Sequence, residues 1–145
     1  MKVLGLDHGS RRVGVAVGDT ATGMAFARPA IRRRGGAADL DDAIATLARG
    51  EGAELVVLGL PRNMDGSEGP QAAVARAFGE RLVAIGLEVV YVDERLTSWE
   101  AGERLAASGA RPTRRSGELD SAAARLILQE YLDASARQGA SQETQ

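Results

Sequence analysis

The chain has 145 residues, a formal net charge of −2 and no cysteine. This length fits one domain of ordinary size, and the lack of cysteine excludes disulfides, thiolate metal sites and cysteine nucleophiles. No apolar run approaches the ~20 residues that a membrane span requires, and the first residues have the pattern of neither a signal peptide nor a transit peptide. We therefore expect a cytoplasmic protein with no membrane partner.

The first part of the chain predicts three strands. The segments KVLGL and RVGVAV are short, rich in valine and leucine, and separated by the turn sequence DHGSR, which is typical of an antiparallel hairpin. The segment GMAFARPAI can form a third strand. Because Pro29 within it lacks an amide donor, we expect this strand at the edge of a sheet or this residue at a strand end.

The middle of the chain alternates helices with buried strands. Residues 38–49 repeat apolar side chains at helical spacing and have aspartates near the positive N-terminal end, so they predict an amphipathic helix. The segment ELVVLGLP is apolar on both faces, as in a central strand, and LEVVYV predicts another buried strand. Between these two strands, apolar residues at helical spacing predict a second helix: Val74, Phe78, Leu82 and Ile85.

The last third of the chain predicts two more helices. The segment TSWEAGERLAAS is typical of a short helix, with Thr97 and Glu100 at the spacing of a capping box. The segment GELDSAAARLILQEYLDA predicts the final helix, with this buried face: Leu119, Ala122, Ala123, Leu126, Ile127 and Tyr131. Residues 135–145 are polar and are expected to form a disordered tail, which leaves residues 1–134 as the domain.

Taken in order, these elements predict an α/β fold. Three antiparallel strands followed by alternating helices and strands describe a mixed five-stranded sheet with helices on both faces. This is the order of elements in a ribonuclease H-like fold. The chain has no internal repeat and no linker long enough to divide it.

Four acidic residues are expected close together at one end of this sheet. Asp7 ends the first strand, Asp93 and Glu94 end the fifth, and Asp120 lies in the first turn of the last helix. Converging carboxylates repel one another unless a cation is present, and oxygen ligands without a Cys or His cluster favour Mg²⁺ or Mn²⁺. Two such ions ~4 Å apart can hold a phosphodiester, lower the pKa of a bound water and stabilise the leaving oxygen.

Each of these acids also has a purely structural interpretation. Asp7 can be a hairpin residue, because Asp and Gly are common turn formers. Asp120 can cap the last helix, and Asp93 and Glu94 can pair with Arg95 at the surface. The residues alone leave these alternatives open.

Two further features of the sequence have an alternative role. The glycine-rich segment GLPRNMDGSEG after the fourth strand is typical of turns, and a loop of this kind can also present backbone amides to phosphate. His8, the only histidine, is either a general base beside Asp7 or a turn residue that faces solvent, and we favour the second.

Arginines in loops are the candidates for binding nucleic acid. The net charge does not indicate such a partner, because nucleic-acid-binding domains are usually basic over one face. However, the segments RPAIRRRGG and GARPTRRSG are strongly positive, and other arginines flank further loops. A single run of this kind is often only a solvated surface. Together they can line one phosphate-contacting surface, for which the candidates are Arg11, Arg12, Arg62, Arg114 and Arg115.

Four segments in order carry a specific resemblance to a known family. LDHGSRRVGVAVGD, VVLGLPRNMDGSEG, VDERLTS and LDSAAARLILQEYL resemble the successive signature blocks of the YqgF/RuvX family of pre-16S rRNA nucleases, over residues 2–132. The resemblance implies a bacterial ribonuclease H-like hydrolase that processes the 5′ end of pre-16S rRNA in ribosome biogenesis. It places the acidic catalytic and metal-binding positions on Asp7, Glu94 and Asp120, with Asp93 as their neighbour.

The chain departs from related proteins in two respects. Junction resolvases of the wider superfamily carry an acid at the end of the fourth strand, where this chain has LGLP and offers Glu94 one strand later. The basic loop is rich in arginine where relatives often have lysine, which keeps the charge but changes the geometry of phosphate contacts.

The sequence supports a metal-dependent endonuclease that acts on structured RNA, and two alternatives remain. One is a Holliday-junction-type resolvase that acts on branched DNA, and the other is a non-catalytic nucleic-acid-binding module in transcription. A sugar-kinase or actin-like ATPase shares an Asp-x-Gly hairpin but needs two such domains, which this length does not allow. The oligomeric state stays open between monomer and homodimer.

Overall fold

The structure is a computed structural model that describes residues 1–94 and 118–143, with side chains described for residues 121–138 of the last helix. The predicted helix at Thr97, Arg95 and the arginines Arg114 and Arg115 lie outside the described residues. The elements in these ranges are β1 (Lys2–His8), β2 (Arg12–Asp19), β3 (Met24–Arg32), α1 (Ala37–Glu51), β4 (Ala53–Leu60), α2 (Pro70–Ala84), β5 (Glu88–Asp93) and α3 (Glu118–Glu143).

The five strands form one mixed sheet in the order β3-β2-β1-β4-β5. β1 pairs antiparallel with β2, and β2 pairs antiparallel with β3. On its other side β1 pairs parallel with β4, which pairs parallel with β5. The predicted mixed five-stranded sheet is therefore confirmed. β1, β4 and β5 all end on the same side of the molecule, which we call the carboxyl end of the sheet.

Helices cover both faces of the sheet, as the sequence predicts. α1 and α2 pack on one face, where Ile44, Phe78 and Leu82 join the alternate residues Leu4 and Leu6 of β1 in one buried cluster. α3 packs on the other face, with this buried cluster: Val3, Ala16, Ala25, Leu55, Val57, Ala124, Ile127, Leu128 and Leu132. Because side chains alternate along a strand, β1 contributes to both cores.

α3 lies directly on β1 because of a glycine. A Cβ atom on Gly5 would meet Cβ of Leu128 at 2.7 Å and the carbonyl oxygen of Ala124 at 2.9 Å. A larger residue at this position would push the helix away from the sheet. Gly5 thus allows α3 to approach the central strand closely.

β3 is an edge strand, in agreement with the position of Pro29. Pro29 is exposed, and the pairing of β3 with β2 shifts in register between Val13 and Val15. Proline and irregular pairing both make an exposed strand edge a poor template for another strand.

Only two of the four apolar residues that predict the second helix are buried. Phe78 and Leu82 lie in the core, whereas the exposed fractions of Val74 and Ile85 are 47% and 45%. The buried residues instead include small ones, and Gly79 is needed because a Cβ atom there would meet the ring of Tyr91. Close packing on β5, rather than maximal apolar volume, sets the orientation of this helix.

The final helix also differs from the prediction in its face and its length. Ala124, Leu128 and Leu132 are buried, whereas Ala122, Ala123 and Tyr131 are only partly buried. The helix continues to Glu143, through residues for which the sequence predicts a disordered tail. Alanine, glutamine and glutamate in this stretch are compatible with a helix.

Among the described residues, none of the helices combines the length and the apolar character that crossing a bilayer requires.

Candidate functional site

Asp7 lies within β1 and not in the turn that follows it. It pairs with Gly14 across the hairpin, and the turn is closed by the Gly9 amide, which donates to the Arg12 carbonyl oxygen at 3.0 Å. By strand alternation its side chain belongs to the face of Val3, which α3 covers. The hairpin-turn interpretation of Asp7 is therefore wrong. Its carboxylate is half-buried at the carboxyl end of the sheet.

Glu94 comes directly after β5 and reaches Asp7. The pKa of the Glu94 carboxyl is raised from 4.5 to about 9, first by burial and then by the hydrogen bond with Asp7 and the negative charges of Asp7 and Asp93. The neutral Glu94 hydroxyl therefore donates to the Asp7 carboxylate. Ionising Glu94 in this place would need a compensating positive charge nearby.

Asp93 is the last residue of β5 and pairs in register with Leu60 of β4. Its negative charge also raises the pKa of Glu94, by less than burial or Asp7 does. Asp93 is thus close enough to act on the pair electrostatically. Its interaction is weaker than that of Asp7, which contacts Glu94 directly.

The backbone of Asp120 lies in the first turn of α3, and its side chain is outside the described residues. The next residue, Ser121, is fully buried, and its hydroxyl oxygen accepts a hydrogen bond from the Val15 amide at 3.0 Å. Val15 pairs with Leu6, the residue before Asp7. This hydrogen bond fixes the start of α3 beside the carboxyl end of β1.

His8 occupies the opposite face of the sheet from the acids. Its ring lies 4.6 Å from that of Phe78, between centroids. Burial lowers the pKa of His8, and the positive charges of Arg33 and Arg81 lower it further. The prediction that His8 is a turn residue facing solvent is wrong, because it is the last residue of β1 and half-buried. Because His8 and Asp7 lie on opposite faces of the sheet, His8 is not placed to act as a general base beside Asp7.

Three of the predicted phosphate-binding arginines lie at the carboxyl end of the sheet. Arg11 is exposed in the β1–β2 turn, Arg12 begins β2, and Arg62 is exposed in the loop after β4. A further arginine, Arg33, supports this turn by donating to the carbonyl oxygens of Gly9 at 3.1 Å and of the next residue. Arg11, Arg12 and Arg62 therefore lie at the same end of the sheet as the acidic pair.

The loop after β4 is braced by its own side chains. The Asp65 carboxylate accepts hydrogen bonds from the Ser67 amide at 2.9 Å and from its hydroxyl at 2.6 Å. The Asn63 amide donates to the Ser67 carbonyl oxygen at 2.9 Å, and Gly66 has a φ of 90°, which favours glycine. Met64 projects from this ordered turn with an exposed fraction of 99%. The turn interpretation of the glycine-rich segment agrees with this structure.

The chemistry of the donors fits a hard divalent cation. Among the described side chains, no three His, Cys, Asp or Glu residues form a group that could hold a metal ion. Asp7 and Glu94 provide two carboxylates, and the Asp120 side chain lies outside that part of the chain. The raised pKa shows that ionising Glu94 is unfavourable in this environment. A bound Mg²⁺ or Mn²⁺ would supply a positive charge there and favour the ionised form of Glu94.

Gly59 contributes to the site and is not among the residues that the sequence predicts for it. A Cβ atom on this residue would collide with the Glu94 side chain, so Glu94 lies across β4 at this glycine. The signal was present as a glycine within the apolar strand ELVVLGL, a position that often marks a close approach.

Comparison with known proteins identifies a family and its fold. The family model described as "RuvX: Holliday junction resolvase" matches residues 1–134. A protein of Anaeromyxobacter dehalogenans named "Putative pre-16S rRNA nuclease" is 47% identical over 134 residues, which cover 92% of this chain and 97% of that protein.

Solved structures of low sequence identity share the fold. Thermus thermophilus RuvC superposes with a TM-score of 0.57 at 17% identity, covering 96% of this chain and 97% of that one. RuvC of the same organism in complex with a Holliday junction substrate gives a TM-score of 0.53 at 15% identity, covering 94% and 96%. At this identity the likeness supports the fold alone.

Proposed function

This chain belongs to the RuvX family, and we propose that it is a metal-dependent endonuclease that processes the 5′ end of pre-16S rRNA in the cytoplasm. The observation that carries the proposal is the hydrogen bond between Glu94 and Asp7 at the carboxyl end of the sheet. Burying a carboxyl beside a second acid costs the fold stability, and such a pair is useful for holding a cation. The name of the A. dehalogenans relative supports the choice of substrate.

The residues that would hold the metal are Asp7, Glu94 and Asp120, with two Mg²⁺ or Mn²⁺ ions as the expected number. Bound there, the ions would polarise the phosphodiester and lower the pKa of the attacking water. The chain itself supplies two things to the reaction. Asp7 and Glu94 provide carboxylates at the carboxyl end of the sheet, and α3 covers the face of the sheet to which Asp7 belongs.

The arginines give the affinity for the substrate in this proposal. Arg11, Arg12 and Arg62 would contact phosphates around the acids, and Arg114 and Arg115 would extend this surface. Replacing Arg11 and Arg62 with Ala should weaken binding to all sequences alike. The slope of log affinity against log salt should fall by roughly 0.7 per lost contact on single strands and 0.9 on duplex DNA.

The central experiment is cleavage of two substrates by one preparation of the protein. A 5′-extended 16S rRNA fragment and a four-way DNA junction are each incubated with Mg²⁺, with Ca²⁺ and with EDTA. We expect cleavage of the RNA in Mg²⁺ only. Preferential cleavage of the junction would favour the resolvase activity in the family's description. Binding of either substrate without any cleavage would favour a non-catalytic module.

Matched variants separate the site from the fold. Asp7→Asn, Glu94→Gln and Asp120→Asn keep the side-chain shape and remove one negative charge each, so cleavage should be lost while binding in Ca²⁺ persists. Asp42→Asn, an exposed acid on α1, is the control and should cut at the wild-type rate. Wild-type cleavage by Asp7→Asn would refute the metal site.

A further inference from the structure

Gly59 lies between the strands that carry the two acids. In the pairing of β1 with β4, Leu6 is opposite Leu58, so Asp7 is level with Gly59 one position further on. In the pairing of β4 with β5, Gly59 is opposite Val92, two positions before Glu94. Since neighbouring strands lie ~4.8 Å apart, the backbones of β1 and β5 are separated by about 10 Å. An extended glutamate and an aspartate joined by a hydrogen bond can just span this distance.

The space above Gly59 is filled by the Glu94 side chain. A Cβ atom on Gly59 would lie 2.8 Å from Cγ of Glu94, and it would be closer still to Oε1. The same atom would lie 2.6 Å from Cδ1 of Ile127 in α3. Gly59 is buried and does not have a positive φ. The reason for glycine here is therefore the absence of a side chain and not its backbone freedom.

We propose that Gly59 is a positioning residue: because it has no side chain, Glu94 can extend from the end of β5 across β4 and contact Asp7. This inference rests on the proposed metal site and adds to it the residue that makes the site's geometry possible. It also explains how the fourth strand can lack an acid. The carboxylate comes from the next strand, and the fourth strand contributes the space that this carboxylate needs.

The Ala substitution at this position has two foreseeable effects that must be separated. The methyl group would lift Glu94 from the sheet and break its contact with Asp7, which is the proposed role. It would also press on Ile127 and disturb the packing of α3, which is a merely structural effect. Ile127→Val removes the Cδ1 atom and relieves the second effect only.

The test compares Mn²⁺ binding and thermal unfolding in four proteins: wild type, Gly59→Ala, Ile127→Val and the double variant. Binding is measured from the electron paramagnetic resonance signal of free Mn²⁺. We expect Ile127→Val to bind as wild type does, and Gly59→Ala to lose about 10-fold to 100-fold in affinity. The double variant should recover part of the lost thermal stability but not Mn²⁺ affinity. Recovery of Mn²⁺ affinity as well would overturn the inference and assign Gly59 to helix packing.

A second comparison does not depend on metal and covers a variant that folds poorly. If the added methyl group collides with Glu94, the loss of melting temperature caused by Gly59→Ala should be smaller in a Glu94→Ala background. An equal loss in both backgrounds would contradict the contact. Wild-type protein that binds no Mn²⁺ would instead refute the proposed metal site. Wild-type binding that Gly59→Ala leaves unchanged would refute only the role of Gly59.

Discussion

Glu94→Gln should stabilise the metal-free protein at neutral pH and should flatten the dependence of its stability on pH. Burial, with the contact to Asp7, raises the pKa of Glu94 in the folded protein to about 9, against an ordinary value of 4.5. The folded state keeps a proton that the unfolded chain releases. The stability linked to this carboxyl is therefore complete below pH 4.5 and is lost as the pH rises toward 9. Glutamine can donate the same hydrogen bond to Asp7 and has no proton to lose.

The expected loss of free energy of unfolding follows from the interval between these two pKa values. One pKa unit corresponds to ~1.4 kcal/mol, so a fully buried group would lose roughly 4 kcal/mol between about pH 5 and about pH 8. Glu94 is partly exposed, and solvent screening reduces this to about 2 kcal/mol. For a domain of this size, that free energy corresponds to about 6 °C in melting temperature.

The assay is urea unfolding in EDTA, followed by circular dichroism at both pH values. The difference between wild type and Glu94→Gln isolates the carboxyl, because other titrating groups are common to both proteins. Asp42→Asn controls for the loss of one negative charge and should follow the wild-type curve. Parallel pH curves for wild type and Glu94→Gln would mean that Glu94 is ionised in the fold, and the reasoning about its contact with Asp7 would be wrong.

Three further predictions concern contacts around the site. The NMR titration of His8, the only histidine, should have its midpoint below 6.5, because burial lowers its pKa; a higher midpoint contradicts the buried contact with Phe78. Ser121→Ala should cost about 1–3 kcal/mol in urea unfolding, since the Val15 amide loses its buried acceptor, and a negligible cost would argue against that hydrogen bond. Arg33→Ala should speed hydrogen exchange of the amide that closes the β1–β2 turn, whereas an unchanged rate would show that the turn is stable without its support.

The sheet and its order could be predicted because they depend on local patterns. Strand alternation and buried runs mark β1, β2, β4 and β5, and Pro29 marks the edge strand. The helix faces were harder to predict, because they depend on which neighbours have room. Val74 is apolar but exposed, since α2 instead turns Gly79 toward Tyr91. Which side of α2 is buried therefore depends on its neighbours in the assembled sheet and not on the sequence of the helix alone.

The candidate site was predictable in composition and not in geometry. Asp7 and Glu94 each follow an apolar run, so their place at strand ends could be read from the sequence. Their contact depends on two strands that are not adjacent, which no local pattern encodes. It also depends on the space above Gly59, and the glycine in ELVVLGL indicates a close approach without showing which side chain makes it. The prediction for His8 is wrong because β1 extends one residue beyond Asp7. His8 therefore lies in the strand, and its side chain is on the face of the sheet opposite to that of Asp7.

The hydrogen bond from Val15 to Ser121 joins residues separated by 106 positions in the sequence, and this separation constrains the order of folding. The hairpin and the parallel strands can form early, but until α3 docks one face of the sheet exposes Val3, Leu55 and Val57 to water. Closing so long a loop is slow compared with forming a hairpin. In this order of folding the turn that carries Asp120 docks last, so the proposed nuclease site would be complete only once the whole domain has folded.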